Sequence, residues 1–70
     1  MNTDLKQSIS NQEVKILELV AKGFTSEKIG GILGIAKSTV QTHRRNMLRK
    51  TKFTNTQQLV AWAVRTGLMK

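Results

Sequence analysis

Apolar residues recur at intervals of three and four along most of the chain, the spacing that places them on one face of an α-helix. In the first such segment the apolar positions are Val14, Leu17, Val20 and Ala21, with Ile16 beside them. Nowhere do apolar and polar residues alternate over the length that is typical of a β-strand. The pattern therefore predicts an all-α fold.

Local signals mark the ends of the first helix. Ser10 and Glu13 have the spacing of a capping box, in which each side chain binds the other residue's backbone amide. Gly23 can adopt the left-handed conformation that commonly follows the last residue of a helix. We therefore expect a helix over about Asn11–Lys22.

A second, shorter helix is predicted between a cap at Thr25 or Ser26 and a turn at Gly34. Its apolar residues are Ile29, Ile32 and Leu33. Gly30 and Gly31 lie inside this helix, and each costs up to about 1 kcal/mol relative to alanine. Either another helix approaches closely here, where a missing Cβ leaves room, or the helix is simply weak. The sequence leaves both interpretations open.

A third helix is predicted from Ala36 or Lys37 to Lys50. Its inward face is apolar and consists of Val40, Met47 and Leu48, with Ile35 leading in. Its other side carries a polar stripe at helical spacing, formed by Ser38, Gln41, Thr42, Arg45 and Arg49. Such side chains can bind the edges of base pairs: arginine suits guanine, glutamine suits adenine, and the threonine methyl can contact thymine.

The last helix is predicted over about Thr56–Thr66, after a linker and a cap at Thr54 or Asn55. Its inward residues are expected to be Leu59, Val60, Ala63 and Val64. Gly67 ends the helix, and the final apolar residues, Leu68 and Met69, are expected to fold back over the core. The four helices together predict a small bundle.

Charge is distributed asymmetrically along the chain. The formal net charge is +8, all four acidic residues lie within the first 27 positions, and nine Lys or Arg follow from Lys28 onward. Such asymmetry is typical of a protein that binds a polyanion, most often nucleic acid. The alternative is a solvated basic surface that aids solubility. A role at a membrane surface is disfavoured, because the basic half lacks a broad apolar face.

Composition disfavours several other classes of protein. The chain has no cysteine and a single histidine, His43, so it lacks a disulfide framework and an ordinary set of zinc ligands. No stretch approaches the roughly 18 apolar residues of a membrane span, and the N-terminus lacks the apolar region of a secretory signal. No group of residues has a catalytic pattern. We expect a cytoplasmic protein that is not an enzyme, holds no cofactor or metal, and has no membrane partner.

The second and third helices predict a helix-turn-helix: a short helix, a turn containing glycine, and a longer helix with a polar face. A closer resemblance is carried by Ser10-x-x-Glu13-x-x-Ile16-Leu17-x-Leu19-Val20-Ala21-x-Gly23, Ile29-x-x-x-Leu33-x-Ile35, Ser38-Thr39-Val40-x-x-His43-x-x-Asn46-Met47-x-x-Lys50 and Ala63-x-x-x-Gly67-Leu68-Met69. With these motifs in this order, the segment Ile9–Met69 resembles the DNA-binding domain of LuxR-type transcriptional regulators, also called the GerE family.

The resemblance implies a four-helix bundle whose third helix enters the major groove of DNA. The family's base-reading positions fall on Gln41, Thr42 and Arg45. The positions expected to contact phosphates, including two from the polar stripe, are Lys37, Ser38, Thr39, Arg44, Arg49 and Lys50. His43 is expected to pack or to form a hydrogen bond near the joint between the helices.

The same resemblance implies a dimer formed through the last helix. If the predicted inward residues are buried, Gln58, Trp62 and Arg65 share another face of this helix. A half-exposed indole is a suitable anchor for a partner. The alternative is that Trp62 closes the chain's own small core.

The chain departs from the family at the start of the third helix. Ala36 stands where the family usually has Ser or Thr, so a side-chain N-cap worth about 1 kcal/mol is missing. Gly30 replaces the usual alanine after Ile29. These departures predict a divergent member of reduced stability, and they leave the register of its base contacts open.

We divide the chain into a flexible N-terminal segment, residues 1–8, and one DNA-binding domain, residues 9–70. Many relatives carry a further domain before this module, so the chain is either a stand-alone regulator, which Met1 favours, or an excised domain. The predicted function is sequence-specific binding of duplex DNA by a bacterial or phage-type regulator, as a homodimer, with RNA polymerase a further candidate partner. The alternatives are a small adaptor that binds a larger regulator or RNA polymerase, and a non-specific architectural DNA binder.

Overall fold

A computed structural model of the protein describes residues 8–69, which form four helices: α1 (Asn11–Ala21), α2 (Ser26–Leu33), α3 (Lys37–Thr51) and α4 (Thr56–Arg65). Those residues include no β-strand, so the all-α prediction is confirmed. Both ends were predicted for α1, α3 and α4, and each observed end lies within one residue of the predicted one. Apart from Ser8, the N-terminal segment predicted to be flexible lies outside the described residues.

Three of the four helices begin at a side-chain cap. The hydroxyl of Ser10 accepts the Glu13 amide at 3.1 Å, and the Glu13 carboxylate accepts the Ser10 amide at 2.9 Å. Thr25 caps α2 and Asn55 caps α4, each through the backbone amide three residues later. At the start of α3, Ala36 forms no side-chain cap. The capping box and the missing cap at α3 are both as predicted.

The core lies where the four helices meet. Its largest fully buried side chains are Ile16, Leu17, Ile29, Val40, Met47 and Leu59. Burying each of these contributes about 1.5–3 kcal/mol relative to leaving it exposed. The C-terminal tail folds back over the core as expected, because the Met69 amide donates to the Ala63 carbonyl at 3.1 Å and the Met69 side chain is buried.

On α1 the buried face is shifted from the predicted one. Ile16 and Leu17 are completely buried, Val14 and Val20 are half-buried, and Ala21 is exposed. The expectation that Ala21 faces inward is therefore wrong. Alanine is small enough to lie at the edge of a face at little cost, whereas the larger isoleucine takes the central position.

On α4 the orientation of the helix decides the question left open for Trp62. The indole is 5% exposed and packs against Phe53, with ring centroids 5.9 Å apart, while Val64 is 53% exposed. The expectations of a half-exposed Trp62 and a buried Val64 are wrong. The helix turns Leu59, Trp62 and Ala63 inward, because the large indole buries more apolar area than the valine it displaces.

The turn between α2 and α3 explains one of the two unusual glycines. A Cβ on Gly30 would lie 2.5 Å from the Ile35 carbonyl oxygen, so only glycine fits against this backbone. A Cβ on Gly31 would meet nothing within 4 Å. Gly34 ends α2 in the left-handed region, at φ 73°. Close approach therefore explains Gly30, though the neighbour is the turn itself, and packing gives no reason for Gly31.

Candidate nucleic-acid interface

The polar stripe of α3 is exposed to solvent along its whole length. We call it the reading face; its members are Ser38, Gln41, Thr42, Arg45 and Arg49, and all five are exposed. At about 100° per residue, these positions span roughly 100° of the helix surface, opposite the buried Val40 and Met47. The helix thus presents one continuous polar surface that the rest of the fold leaves uncovered.

Contacts within the reading face are local. The Thr42 hydroxyl donates to the Ser38 carbonyl at 2.9 Å, one turn earlier in the helix. The Arg49 guanidinium donates to the side chain of Asn46 at 3.2 Å. The side chains of Gln41 and Arg45 form no hydrogen bond or ion pair with the part of the chain that the structure describes. Their donors remain available for another molecule.

The first turn of α3 adds two more exposed residues, Lys37 and Thr39, on either side of Ser38. Because Ala36 provides no capping oxygen, the first backbone amides of this turn receive no bond from the N-cap side chain. A helix N-terminus with a lysine beside it favours an anion. The position is suited to a phosphate, as the resemblance implies.

Arg44 is used by the fold itself. It is half-buried, and its guanidinium donates to the Ser26 hydroxyl at 2.8 Å and to the Thr56 hydroxyl at 3.5 Å. Those residues are the first of α2 and of α4. One side chain of α3 therefore fixes the starts of two neighbouring helices, a role that the sequence analysis missed.

Lys50 is also bound internally. Its ammonium donates to the Glu13 carboxylate at 2.8 Å and to the Ser8 carbonyl at 2.6 Å. Glu13 is 4% exposed and belongs to the capping box of α1. The pair therefore joins the first turn of α1 to the last turns of α3. Lys50 neutralises the buried Glu13 carboxylate. Its ammonium group, which we expected to contact phosphate, is therefore bound within the fold.

The surroundings of Glu13 favour its ionised form. Burial raises the pKa of this carboxyl, but the Lys50 ammonium, the Ser10 amide and the nearby His43 together lower the pKa below its ordinary value. His43 is half-buried, with Nδ1 3.8 Å from the carboxylate. His43 belongs to α3, and its side chain faces Glu13 in the first turn of α1.

Electrostatically, the second half of the chain is uniformly basic. No acidic residue follows Glu27, so neither α3 nor α4 carries a carboxylate side chain. The reading face therefore contributes Arg45 and Arg49 without a neutralising acid on the same helix. An uncompensated cationic helix attracts the phosphate backbone of nucleic acid.

The three residues predicted to form a dimer interface do not share one exposed face. Gln58 and Arg65 are exposed, whereas Trp62 belongs to the core. The Gln58 side-chain oxygen also accepts from the amide and the hydroxyl of Thr54, each at 3.0 Å. The outer surface of α4 is instead centred on small and apolar residues, Ala61 and Val64.

Residues 8–69 contain neither a metal-binding cluster nor a membrane-spanning helix. In this range no group of three or more His, Cys, Asp or Glu side chains is arranged to hold a metal ion. Within the same range, every helix is too short or too polar to cross a membrane.

The geometry defines a class of protein: a helix-turn-helix domain, with α2 and the turn at Gly34 supporting an exposed, basic α3. Residues 7–63 match the family described as bacterial regulatory proteins, luxR family. The chain therefore belongs to the luxR family, whose members are DNA-binding regulators of transcription rather than enzymes. The resemblance noted in the sequence is confirmed.

Individual relatives agree with this assignment. The chain is 42% identical over 66 residues to the transcriptional activator protein PhzR of Pseudomonas fluorescens, covering 94% of this chain and 26% of that protein. It is 38% identical over 64 residues to the regulatory protein SdiA of Escherichia coli K12, and the match covers 91% of this chain and 27% of SdiA. It is 35% identical over 60 residues to the uncharacterised response regulatory protein YgeK of the same strain, covering 86% and 41%.

The chain thus spans between about a quarter and two fifths of the length of these relatives. No solved structure matches it at a significant level.

Proposed function

We propose that this chain binds duplex DNA sequence-specifically, with α3 inserted in the major groove and base pairs read by Gln41, Thr42 and Arg45. The single observation that carries the proposal is the reading face: an exposed, basic surface of α3 whose side-chain hydrogen bonds stay within that helix. A major groove about 12 Å wide accepts an α-helix whose side chains reach the base edges. The family assignment supports the same function.

We assign the phosphate contacts to a smaller set than the sequence suggested: Lys37, Ser38, Thr39 and Arg49. These residues are exposed and flank the three base-reading positions. Arg44 and Lys50 are excluded from this set, because their charged groups are bound within the fold. Phosphate contacts supply the attraction that depends on salt and not on sequence, and they orient the helix for base contacts.

The chain acts as a dimer through the outer surface of α4. Gln58 and Arg65 lie on this surface with Ala61 and Val64, and the exposed valine takes the anchoring role first considered for Trp62. A small residue at the centre allows two helices to approach closely. Two-fold pairing would place two half-sites about 10 base pairs apart, centre to centre. The cytoplasm is the compartment in which such a regulator reaches DNA, and RNA polymerase is a partner in the same proposal.

Selection of bound sequences from a random duplex pool, followed by affinity measurements on Arg45→Ala, tests the proposal. We expect the variant to bind the preferred duplex about 1–3 kcal/mol more weakly and to lose its preference at one base pair. Arg49→Ala is the matched control, since it removes the same charge from the same face. It should weaken binding to all duplexes about equally and reduce the salt dependence. A uniform loss with both variants would remove Arg45 from the reading set.

The adaptor alternative predicts a different pattern. Its affinity for DNA would show no steep salt dependence, and the substitutions that abolish activity would cluster on α4 around Val64 rather than on α3. Titration of random duplex DNA at two salt concentrations separates the two functions. A non-specific architectural binder would show the salt dependence but would enrich no sequence from the pool.

A further inference from the structure

Thr42 lies at one edge of the reading face, part-way along its length, and its hydroxyl group is already engaged. The Oγ1 atom donates to the Ser38 carbonyl at 2.9 Å. A threonine carries two different groups on Cβ, and this hydrogen bond fixes χ1 with the hydroxyl held against the preceding turn of the helix. The methyl group is the part of the side chain that no hydrogen bond holds to the helix.

From this geometry we infer that Thr42 selects thymine by van der Waals contact between its methyl group and the C5 methyl of the base. The inference rests on the proposed function and deepens it, since it names the atoms and the base. In the major groove the C5 methyl of thymine is the apolar group that distinguishes its base pair. Two methyl groups in contact exclude water and need no hydrogen bond.

The other two base-reading residues differ from Thr42 in this respect. Gln41 and Arg45 are exposed, and neither side chain forms a hydrogen bond with the part of the chain that the structure describes. Their amide and guanidinium donors therefore remain free for the polar edges of bases. The reading face thus combines two polar readers with one apolar reader, and Thr42 belongs to the apolar class despite its hydroxyl.

A reading role for the hydroxyl is the competing chemistry. To donate to a base, Oγ1 would have to leave the Ser38 carbonyl. To accept from the amino group of cytosine or adenine, it could remain where it is. Valine and serine separate these possibilities, because Thr42→Val keeps the methyl and removes the hydroxyl, whereas Thr42→Ser does the reverse.

The experiment begins with the duplex that the wild-type chain selects from a random pool. Each thymine in it is replaced in turn by uracil, which lacks only the C5 methyl, and dissociation constants are measured by fluorescence anisotropy at one salt concentration. We expect uracil at one thymine of each half-site to weaken wild-type binding about fourfold, the effect of one methyl-sized apolar contact. Thr42→Val should retain both the affinity and this ratio, within about twofold. Thr42→Ser should bind the thymine duplex about fourfold more weakly and bind thymine and uracil duplexes equally.

The matched control is Thr39, an exposed threonine of α3 outside the reading face. Thr39→Ser and Thr39→Val should leave the thymine-to-uracil ratio unchanged, whatever they do to overall affinity. Circular dichroism checks that all variants are equally helical. A preferred duplex that is insensitive to uracil at every position, or a discrimination kept by serine and lost by valine, would overturn the inference alone. Enrichment of no sequence from the pool would overturn the proposed function first, and the inference with it.

Discussion

Arg44 and Arg45 are neighbours in the sequence but have different surroundings. Arg44 donates to hydroxyl groups at the starts of α2 and α4, whereas Arg45 is exposed and its side chain forms no hydrogen bond with residues 8–69. One step along the helix, about 100°, separates the two roles. The next basic pair, Arg49 and Lys50, repeats the contrast, because only Lys50 reaches another helix. Counting basic residues on α3 therefore overestimates the number of free cationic groups on this helix; the orientation of each side chain decides whether its charge is bound within the fold.

The largest loss of stability is expected from a substitution in the internal ion pair that Lys50 forms with Glu13. Glu13→Gln removes the charge that Lys50 neutralises, and we expect it to lower the free energy of unfolding by about 2–3 kcal/mol. The expectation lies below the usual cost of breaking a fully buried pair, because Lys50 is partly exposed and can turn toward water. Urea denaturation measures the change. Glu18→Gln is the control on an exposed position of α1, and it should change stability by less than about 0.5 kcal/mol.

Acid should remove the same stabilisation. The pKa of Glu13 is lowered in the folded state, so its contribution is present above the ordinary carboxyl pKa of about 4.3 and is lost as the pH falls through the folded value. The difference in stability between wild-type and Glu13→Gln should therefore shrink as the pH is lowered below about 4.3. A difference that stays constant down to pH 3 would mean that the charge of Glu13 does not contribute.

The two adjacent glycines of α2 offer a second matched pair. Gly30→Ala places a Cβ against the Ile35 carbonyl, and we expect a loss of about 1–3 kcal/mol as the turn before α3 shifts. Gly31→Ala meets open space and should raise stability by about 0.5–1 kcal/mol through helix propensity. Thermal unfolding of both variants measures the contrast. Equal effects of one sign would contradict the close approach at Gly30.

The contrast between the two arginines themselves comes next in size. Arg44→Ala should cost about 1–2 kcal/mol of stability, near the lower end of the roughly 1.5–3 kcal/mol for hydrogen bonds that involve a charged group, because Arg44 is only half-buried. Arg45→Ala should change stability by less than about 0.5 kcal/mol, because nothing in the described fold depends on it. Chemical denaturation without DNA is the measurement. Equal losses for the two variants would mean that Arg45 also supports the fold.

The smallest effect concerns the uncapped start of α3. Ala36→Ser supplies the missing capping oxygen, and we expect a gain of about 1 kcal/mol in the free energy of unfolding. Ser10→Ala performs the reverse change at α1 and should cost a similar amount. If serine at position 36 gave no gain, the first turn of α3 would be satisfied in some other way.

What could be predicted from the sequence depends on how far apart the interacting residues lie along the chain. The caps at Ser10 and Asn55 depend on residues three positions apart, so local spacing was enough to find the helix starts. The exposed stripe of α3 was found for the same reason, since helical periodicity is local. The family resemblance was visible because its motifs extend along most of the chain.

Interactions over long sequence distances were not predictable in this way. Glu13 and Lys50 are 37 positions apart, and nothing in either neighbourhood marks the other as its partner. Trp62 and Val64 are both apolar and lie on different sides of α4, so periodicity alone could not decide which faces inward. The packing of Phe53 against the indole settles the orientation, and that contact depends on the complete fold.

In the proposed complex the outer side of α3 enters a groove of duplex DNA. The most direct measurement is a nuclear magnetic resonance titration of the ¹⁵N-labelled chain with its preferred duplex. We predict that the largest amide shifts occur at Gln41–Arg49 on the reading face and in the first turn of α3, with small shifts along α1. Largest shifts far from these residues, or no shifts on adding the duplex, would contradict the claim.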